Sequence, residues 1–179
     1  MSAYYFDDEE EGLARETSHP FFVEHATADF YYDEGDDFAP FGNDTGHDLL
    51  RSLEEWYQER GANAKAATWL KQLIIAWGFD SAYLNYVTQA ELESIDLKEQ
   101  YLNDVLDQAV IATILGQYKI AGKADKAMQK MVADAFMRQR YMTDLANKRD
   151  DPWNEAELYL SRLATMEADL AAMANKKAR

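Results

Sequence analysis

From Thr45 to the end of the chain, apolar residues recur every three or four positions; before Thr45 they follow no period. The first periodic run is Leu49, Leu50, Leu53, Trp56 and Tyr57, and it predicts a helix over about residues 46–60. Thr45 and Asp48 supply a Ser/Thr-x-x-acid start signal for it, and Gly61 stops it. Asn63 caps a second helix whose inner face is Trp69, Leu70, Leu73, Ile74 and Trp77, closed by Gly78. Asp80 or Ser81 opens a short turn holding Tyr83 and Leu84. Thr88 and Glu91 repeat the start signal before a short helix near 89–95.

Three longer helices follow. The first spans roughly 97–120, with Tyr101, Leu102, Val105, Leu106, Ala109, Val110, Thr113, Ile114 and Gln117 on its inner face. Its VIATIL run is nearly all apolar, which marks it as the central helix, and Gly122 ends it. The second spans roughly 123–146, turning Ala124, Ala127, Met128, Met131, Val132, Ala135, Phe136 and Met142 inward. The third begins at Asp151-Pro152, read as an N-cap followed by proline in the first turn, and carries the stripe Ala156, Tyr159, Leu160, Leu163, Met166, Leu170 and Met173. No stretch alternates apolar and polar residues over a useful strand length. The class is therefore all-α: an irregular bundle of about five to seven helices with short connections.

The front of the chain is different. Residues 1–18 read as an acidic, flexible leader, because Asp7, Asp8, Glu9, Glu10 and Glu11 form a run of like charge that water solvates. Tyr4, Tyr5 and Phe6 are the exception and are expected to dock on the body or on a second copy. Residues 19–179 read as a single helical domain. Within it, 19–45 is rich in rings (Phe21, Phe22, Phe30, Tyr31, Tyr32, Phe38, Phe41) and punctuated by Pro20, Gly35, Pro40 and Gly42. So much aromatic surface is expected to lie across the helices, with the intervening acids facing out. The stretch FAPFGND is turn chemistry.

Charge sharpens this division. Residues 1–50 carry 14 acids and one base, Arg15, a net of −13 out of −15 for the 179-residue chain. They also hold all three histidines and ten of the 23 aromatic residues. Such an acidic surface repels phosphate and anionic headgroups, so nucleic acid and membranes are not expected partners. No window approaches the ~18 consecutive apolar residues of a spanning helix. The leader has neither a basic nor an apolar stretch of the kind that exports a chain, and cysteine is absent, so a cytoplasmic protein without disulfides is expected.

Candidate chemistry is confined to the same front segment. His19, His25 and His47 with Asp36 and Asp44 form the candidate metal set, and Asp33, Asp37 and Asp48 could join it, imidazole and carboxylate being ordinary ligands. Their spacing matches no ligand motif, and a solvated acidic loop with surface histidines explains them more simply. Asp36 with Asp44, or Asp44 with Asp48, could pair for acid–base work. Helix capping and dipole compensation account for Asp44 and Asp48 without it. No nucleophile elbow, phosphate loop or zinc-protease helix is present. No cofactor is implied.

The segment FYYDEGDDFAPFGNDTGHDLLRSLEEWY resembles an uncharacterised bacterial family, YfeS-like, associated with WGR/MolR-type sequences. The resemblance runs through Tyr32, Asp36, Pro40, Phe41, Gly42, Asn43, Asp44, Gly46 and Asp48, and the later stretch DQAVIATILGQYKIAGKAD looks like that family's second block. It implies no activity.

Two readings of the acidic front remain: a solubility device, or a docking surface for a basic protein. Carboxylates interleaved with rings provide both steering and anchors. The expectation is a non-enzymatic protein-binding domain. Its partner-binding residues are Tyr31, Tyr32, Asp33, Glu34, Asp36, Asp37, Phe38, Phe41 and Asp44, and neutralisation of a basic partner, as by an immunity protein or antitoxin, is one form of it. A metal-dependent enzyme or metal-binding protein built on the His/Asp set is the first alternative. A self-associating protein, with a homodimer made through Tyr4–Phe6 or the methionine face, is the second.

Overall fold

The computed structural model describes residues 3–60, 65–95 and 100–176, apart from the side chains of Arg60 and Gln100. Among them are seven α-helices and no strand: α1 (Pro20–His25), α2 (Asp44–Arg60), α3 (Ala66–Ala76), α4 (Gln89–Glu93), α5 (Gln100–Ala121), α6 (Lys126–Asn147) and α7 (Ala156–Asn175). The chain is all-α, as the periodicity requires. The stop at Gly61, the cap at Asn63 and the start of the helix expected from 97 lie outside the described residues.

Helix α5 is the hub. Residues 109–122 are buried on every side, because α1, α2, α3 and α6 all pack against this one rod. Helix α2 comes close at Gly116, where Leu53 lies on the glycine; a Cβ there would meet the leucine methyl. Helix α7 packs on α6 and α1 and completes the bundle.

The segment ahead of α2 is short turns pinned by side chains. His19 caps α1, its Nδ1 accepting from Phe21 N at 3.1 Å, and Pro20 follows in the first turn. A 3-10 turn over Asp29–Tyr32 puts Phe30 and Tyr31 into the core beside Phe22. Helix α2 already begins at Asp44, ahead of the expected start, and its cap is Asn43 rather than Thr45. Asn43 Oδ1 accepts from Gly46 N at 2.7 Å while Nδ2 donates to Ala39 O at 2.8 Å, so one side chain closes the preceding turn and opens the helix. Gly46 lies directly under the Pro40 carbonyl, which a Cβ would strike. Gly46→Ala is therefore expected to cost about 1–3 kcal/mol, read as a lower urea midpoint with unchanged slope.

Helix α7 departs from expectation at its start. Asp151-Pro152 does not open it; the helix begins at Ala156. The physical reason is Trp153, whose ring is drawn against Phe38 and Tyr159 at 5.6 and 5.5 Å, and this holds the chain open until Ala156.

Residues 3–18 lie on the body, and Asp7 departs from the solvated run around it. Its side chain is 1% exposed and sits against Lys119 Nζ at 2.6 Å, a lysine with 0% exposure in the last turn of the core helix. Arg51 Nη2 reaches the other Asp7 oxygen at 2.7 Å, and Thr17 Oγ1 donates to the first at 3.0 Å. Glu54 completes a group of two acids and two bases, accepting from Asp7 N at 2.7 Å and from Arg51 Nη1 at 2.6 Å. Burial raises its carboxyl above the usual range. Tyr4 packs on Tyr57, and Tyr5 N donates to Ile120 O at 2.9 Å, so these residues dock on the chain's own body.

Candidate functional site

One concavity of about 580 Å³ opens beside the start of α2. Asp37, Phe38, Asn43, Asp44 and Thr45 form one side of it. Asp104 and Gln108 of α5 with Gln139 and Thr143 of α6 form the floor. Arg149 and Trp153 from the α6–α7 connection and Tyr159 of α7 close the far side.

Its most regular feature is an aromatic wall. Phe38 and Tyr159 lie 5.4 Å apart, and Trp153 contacts both. At these separations, with their planes inclined by 53–83°, the rings touch one another and form one contiguous aromatic cluster.

The floor is fixed by a polar network that is buried at Asp107, Arg138 and Gln139 and reaches the surface at Asp104. Gln139 Nε2 donates to Asp107 Oδ2 at 2.8 Å and to Asp104 Oδ1 at 3.3 Å, while its Oε1 accepts from the Tyr159 hydroxyl at 2.5 Å. Beneath it, Arg138 Nε donates to Asp107 Oδ1 at 2.9 Å, with Nη2 on the same oxygen at 2.7 Å. Arg138 Nη1 donates to the carbonyls of Leu84 and Tyr86, each at 3.1 Å. Each of these acceptors has its donor, so the floor is rigid before anything binds. Burial pushes the Asp107 carboxyl up to about 6, with the Arg138 guanidinium opposing it. Burial also raises Asp104, opposed by Gln139, and raises the Tyr159 hydroxyl, to which the charges of Asp104 and Asp107 add.

The sequence-derived contact residues divide in two. Tyr31 is fully buried and donates its hydroxyl to Asp169 at 2.7 Å, and Phe41 is buried against α5 and α2. Tyr32 is half-buried, its hydroxyl donating to Ala26 O and its face covered by Arg15. Asp36 accepts from Phe38 N and pairs with Arg162 at 2.8 Å. These four hold the segment down. Asp33, Glu34, Asp37 and Asp44 face solvent, and Phe38 is half-exposed at the mouth of the cleft.

The metal candidates are not brought together. His19 spends Nδ1 on the α1 cap and packs on Tyr5, and burial lowers its pKa. His25 Nδ1 donates to Phe21 O at 2.8 Å. Asp36 faces Arg162, Asp44 lines the cleft, and His47 sits half-buried on α2. Among the described residues no group of three or more His, Cys, Asp or Glu is placed to hold a metal ion.

Sequence reasoning missed Asp104, Gln139 and Trp153 as site residues. Trp153 carried a signal, being a large ring in the polar run DDPWNE; Asp104 and Gln139 carried none. Among the described residues no helix is long and apolar enough to cross a membrane.

No protein-family model matches the chain, and neither does any solved structure. The curated "Uncharacterized protein YfeS" of Escherichia coli (strain K12) is 34% identical to it over 146 residues, 78% of this chain and 57% of the relative. The chain thus spans little more than half the length of the curated relative it matches. Identity at that level over most of its residues makes this chain a member of a YfeS-like family.

Proposed function

We propose that this protein is a non-enzymatic binding domain that docks a basic protein through the ledge formed by Asp33, Glu34, Asp37, Phe38 and Asp44. The observation that carries the reading is the division of labour within the segment. Its buried rings, Asp36 and Asn43 anchor it to the bundle, and the remaining four carboxylates face solvent, Asp37 and Asp44 of them sharing the cleft mouth with the half-exposed Phe38. A ledge held this firmly loses little entropy on binding. The −13 charge of the first fifty residues steers a basic partner toward it. Neutralisation of that partner, as by an immunity protein or antitoxin, is the concrete form the charge suits.

The test compares two baits in a nuclease-treated host lysate: the wild type and the variant Asp33→Asn, Glu34→Gln, Asp37→Asn, Asp44→Asn. Asp36 is left in place because it holds Arg162, and the amide that replaces the Asp33 carboxylate keeps an acceptor for Gly35 N. The wild type is expected to retain a basic protein that elutes at a defined salt step and that the variant does not retain. Identical captures by both baits would show that the ledge binds nothing.

A further inference from the structure

The cleft beside the ledge has its own chemistry, and we propose that it receives the guanidinium of an arginine side chain carried by the docked protein. The inference rests on the docking reading above and deepens it by naming what the partner inserts.

Three observations carry it. The first is the aromatic wall. Because Phe38, Trp153 and Tyr159 touch each other at 5.4–5.6 Å with their planes inclined by 53–83°, no cation fits between them, and what the cluster offers is the face of a single ring. A box of separated rings would suit a bulky, round alkylammonium; a face suits a flat cation laid against it. The second is charge. Asp37, Asp44 and Asp104 line the cleft against a single base, Arg149. A guanidinium stacked on the wall has in-plane N–H groups left to give these carboxylates, in the fork geometry that an ammonium lacks.

The third is that this chain already makes the same arrangement twice from the same segment. Arg162 lies 4.3 Å from the centre of the Phe30 ring and pairs with Asp36 at 2.8 Å. Arg15 lies 4.4 Å from the Tyr32 ring and pairs with Asp29 at 2.8 Å. In the cleft the ring and the carboxylates are present, and the arginine is the third component that a partner would bring. At about 580 Å³ the space admits a whole arginine side chain with a stretch of its backbone. The bonded floor of Gln139, Asp107 and Arg138 keeps the wall and Asp104 in register.

The test is titration of the isotope-labelled protein with three capped tripeptides, acetyl-Gly-X-Gly-amide with X arginine, lysine or citrulline, following the Trp153 indole resonance. The arginine peptide is expected to move that resonance saturably, the lysine peptide to bind about 5-fold or more weakly, and neutral citrulline to leave it unmoved. Asp104→Asn keeps an acceptor for Gln139 and is expected to weaken the arginine peptide about 5–10-fold. Trp153→Phe, which keeps a ring, is expected to cost less than Trp153→Ala, read from the remaining cleft resonances. Equal binding of lysine and arginine, or indifference to Asp104→Asn, would overturn the proposal. So would agmatine binding as tightly as the peptide, since that points to a free small molecule. Capture that the ledge variant abolishes while Asp104→Asn and Trp153→Ala retain it would leave docking standing and remove the arginine pocket. Capture untouched by any of them would remove both.

Discussion

Replacing Asp7 by alanine is expected to destabilise the protein by about 3–5 kcal/mol. An aspartate in an acidic leader would ordinarily be worth a small fraction of that. Asp7 is different because its partner is buried. Lys119 sits on the fully enclosed stretch of α5, and its ammonium contacts Asp7 Oδ1 at 2.6 Å and the Thr17 carbonyl at 3.3 Å. Removing the carboxylate leaves a positive charge in the core with one neutral acceptor. Arg51 can turn to water, being one-third exposed, and keeps Glu54. Lys119 cannot turn to water, and the Glu54 carboxylate, whose charge it feels, spends its oxygens on Asp7 N and Arg51. The check is urea denaturation of Asp7→Ala beside the double variant Asp7→Leu/Lys119→Met. The double variant removes both charges, fills the space with apolar groups of similar size, and is expected to recover a large part of the loss. An Asp7→Ala protein within about 0.5 kcal/mol of wild type would mean that Lys119 is solvated through an opening of residues 3–12.

That pair also shows where the sequence stops being informative. Asp7 stands in a run of five acids, and nothing local separates it from Asp8 or Glu9. What selects it is a lysine 112 residues away that happens to fall on the buried arc of α5. The lysine itself was visible in VIATILGQYKIA, as a cation in an apolar run, but a single anomalous residue does not name its partner. The helices were legible for the opposite reason. Their signal is local, repeating within one turn, and the stripes from Leu49 to Tyr57 and from Leu163 to Met173 locate α2 and α7 within a few residues. Where local signals failed, a tertiary contact outweighed them. Asp151-Pro152 is a good helix start in isolation, yet Trp153 packs against Phe38 and Tyr159 and the helix opens only at Ala156. The acidic segment was half legible. Its composition marked it as a surface, but the division between anchoring residues (Tyr31, Asp36, Phe41) and outward ones (Asp33, Asp37, Asp44) depends on which of them meet α5 and α7. Of the cleft only the near side, Asp37, Phe38 and Asp44, was legible; the assembly was not, since Phe38, Asp104, Gln139 and Trp153 come from four separate stretches of chain.

Arg138→Met should rival Asp7→Ala, with an expected loss of about 3–5 kcal/mol. Arg138 is 1% exposed and is shared between Asp107 on α5 and the carbonyls of Leu84 and Tyr86 in the turn before α4. Methionine fills much of the same space and brings none of the guanidinium's donors. It strands the buried Leu84 carbonyl, the part-buried Tyr86 carbonyl and one oxygen of the buried Asp107 carboxylate. Arg138→Lys is expected to rescue only part of the loss, because one ammonium cannot span contacts that the guanidinium makes from three nitrogens. The dependence on pH identifies the mechanism. In the wild type, burial has already raised Asp107 to about 6, so the folded state holds this proton more tightly than the unfolded chain. Stability from this group is therefore present at low pH and is lost as pH rises from about 4 through about 6. Taking away Arg138 removes the charge that opposes burial, and the window moves to higher pH. The gap between Arg138→Met and wild type should then narrow as the pH is lowered from about 8 to about 5, because protonation discharges the stranded carboxylate in the variant first. Melting curves across that range decide the matter. A gap that stays constant would mean that Asp107 remains ionised without its arginine, held by Gln139 and by water admitted to the floor of the cleft. In that case the floor would be soft, and the arginine-binding wall above it would lose its fixed register.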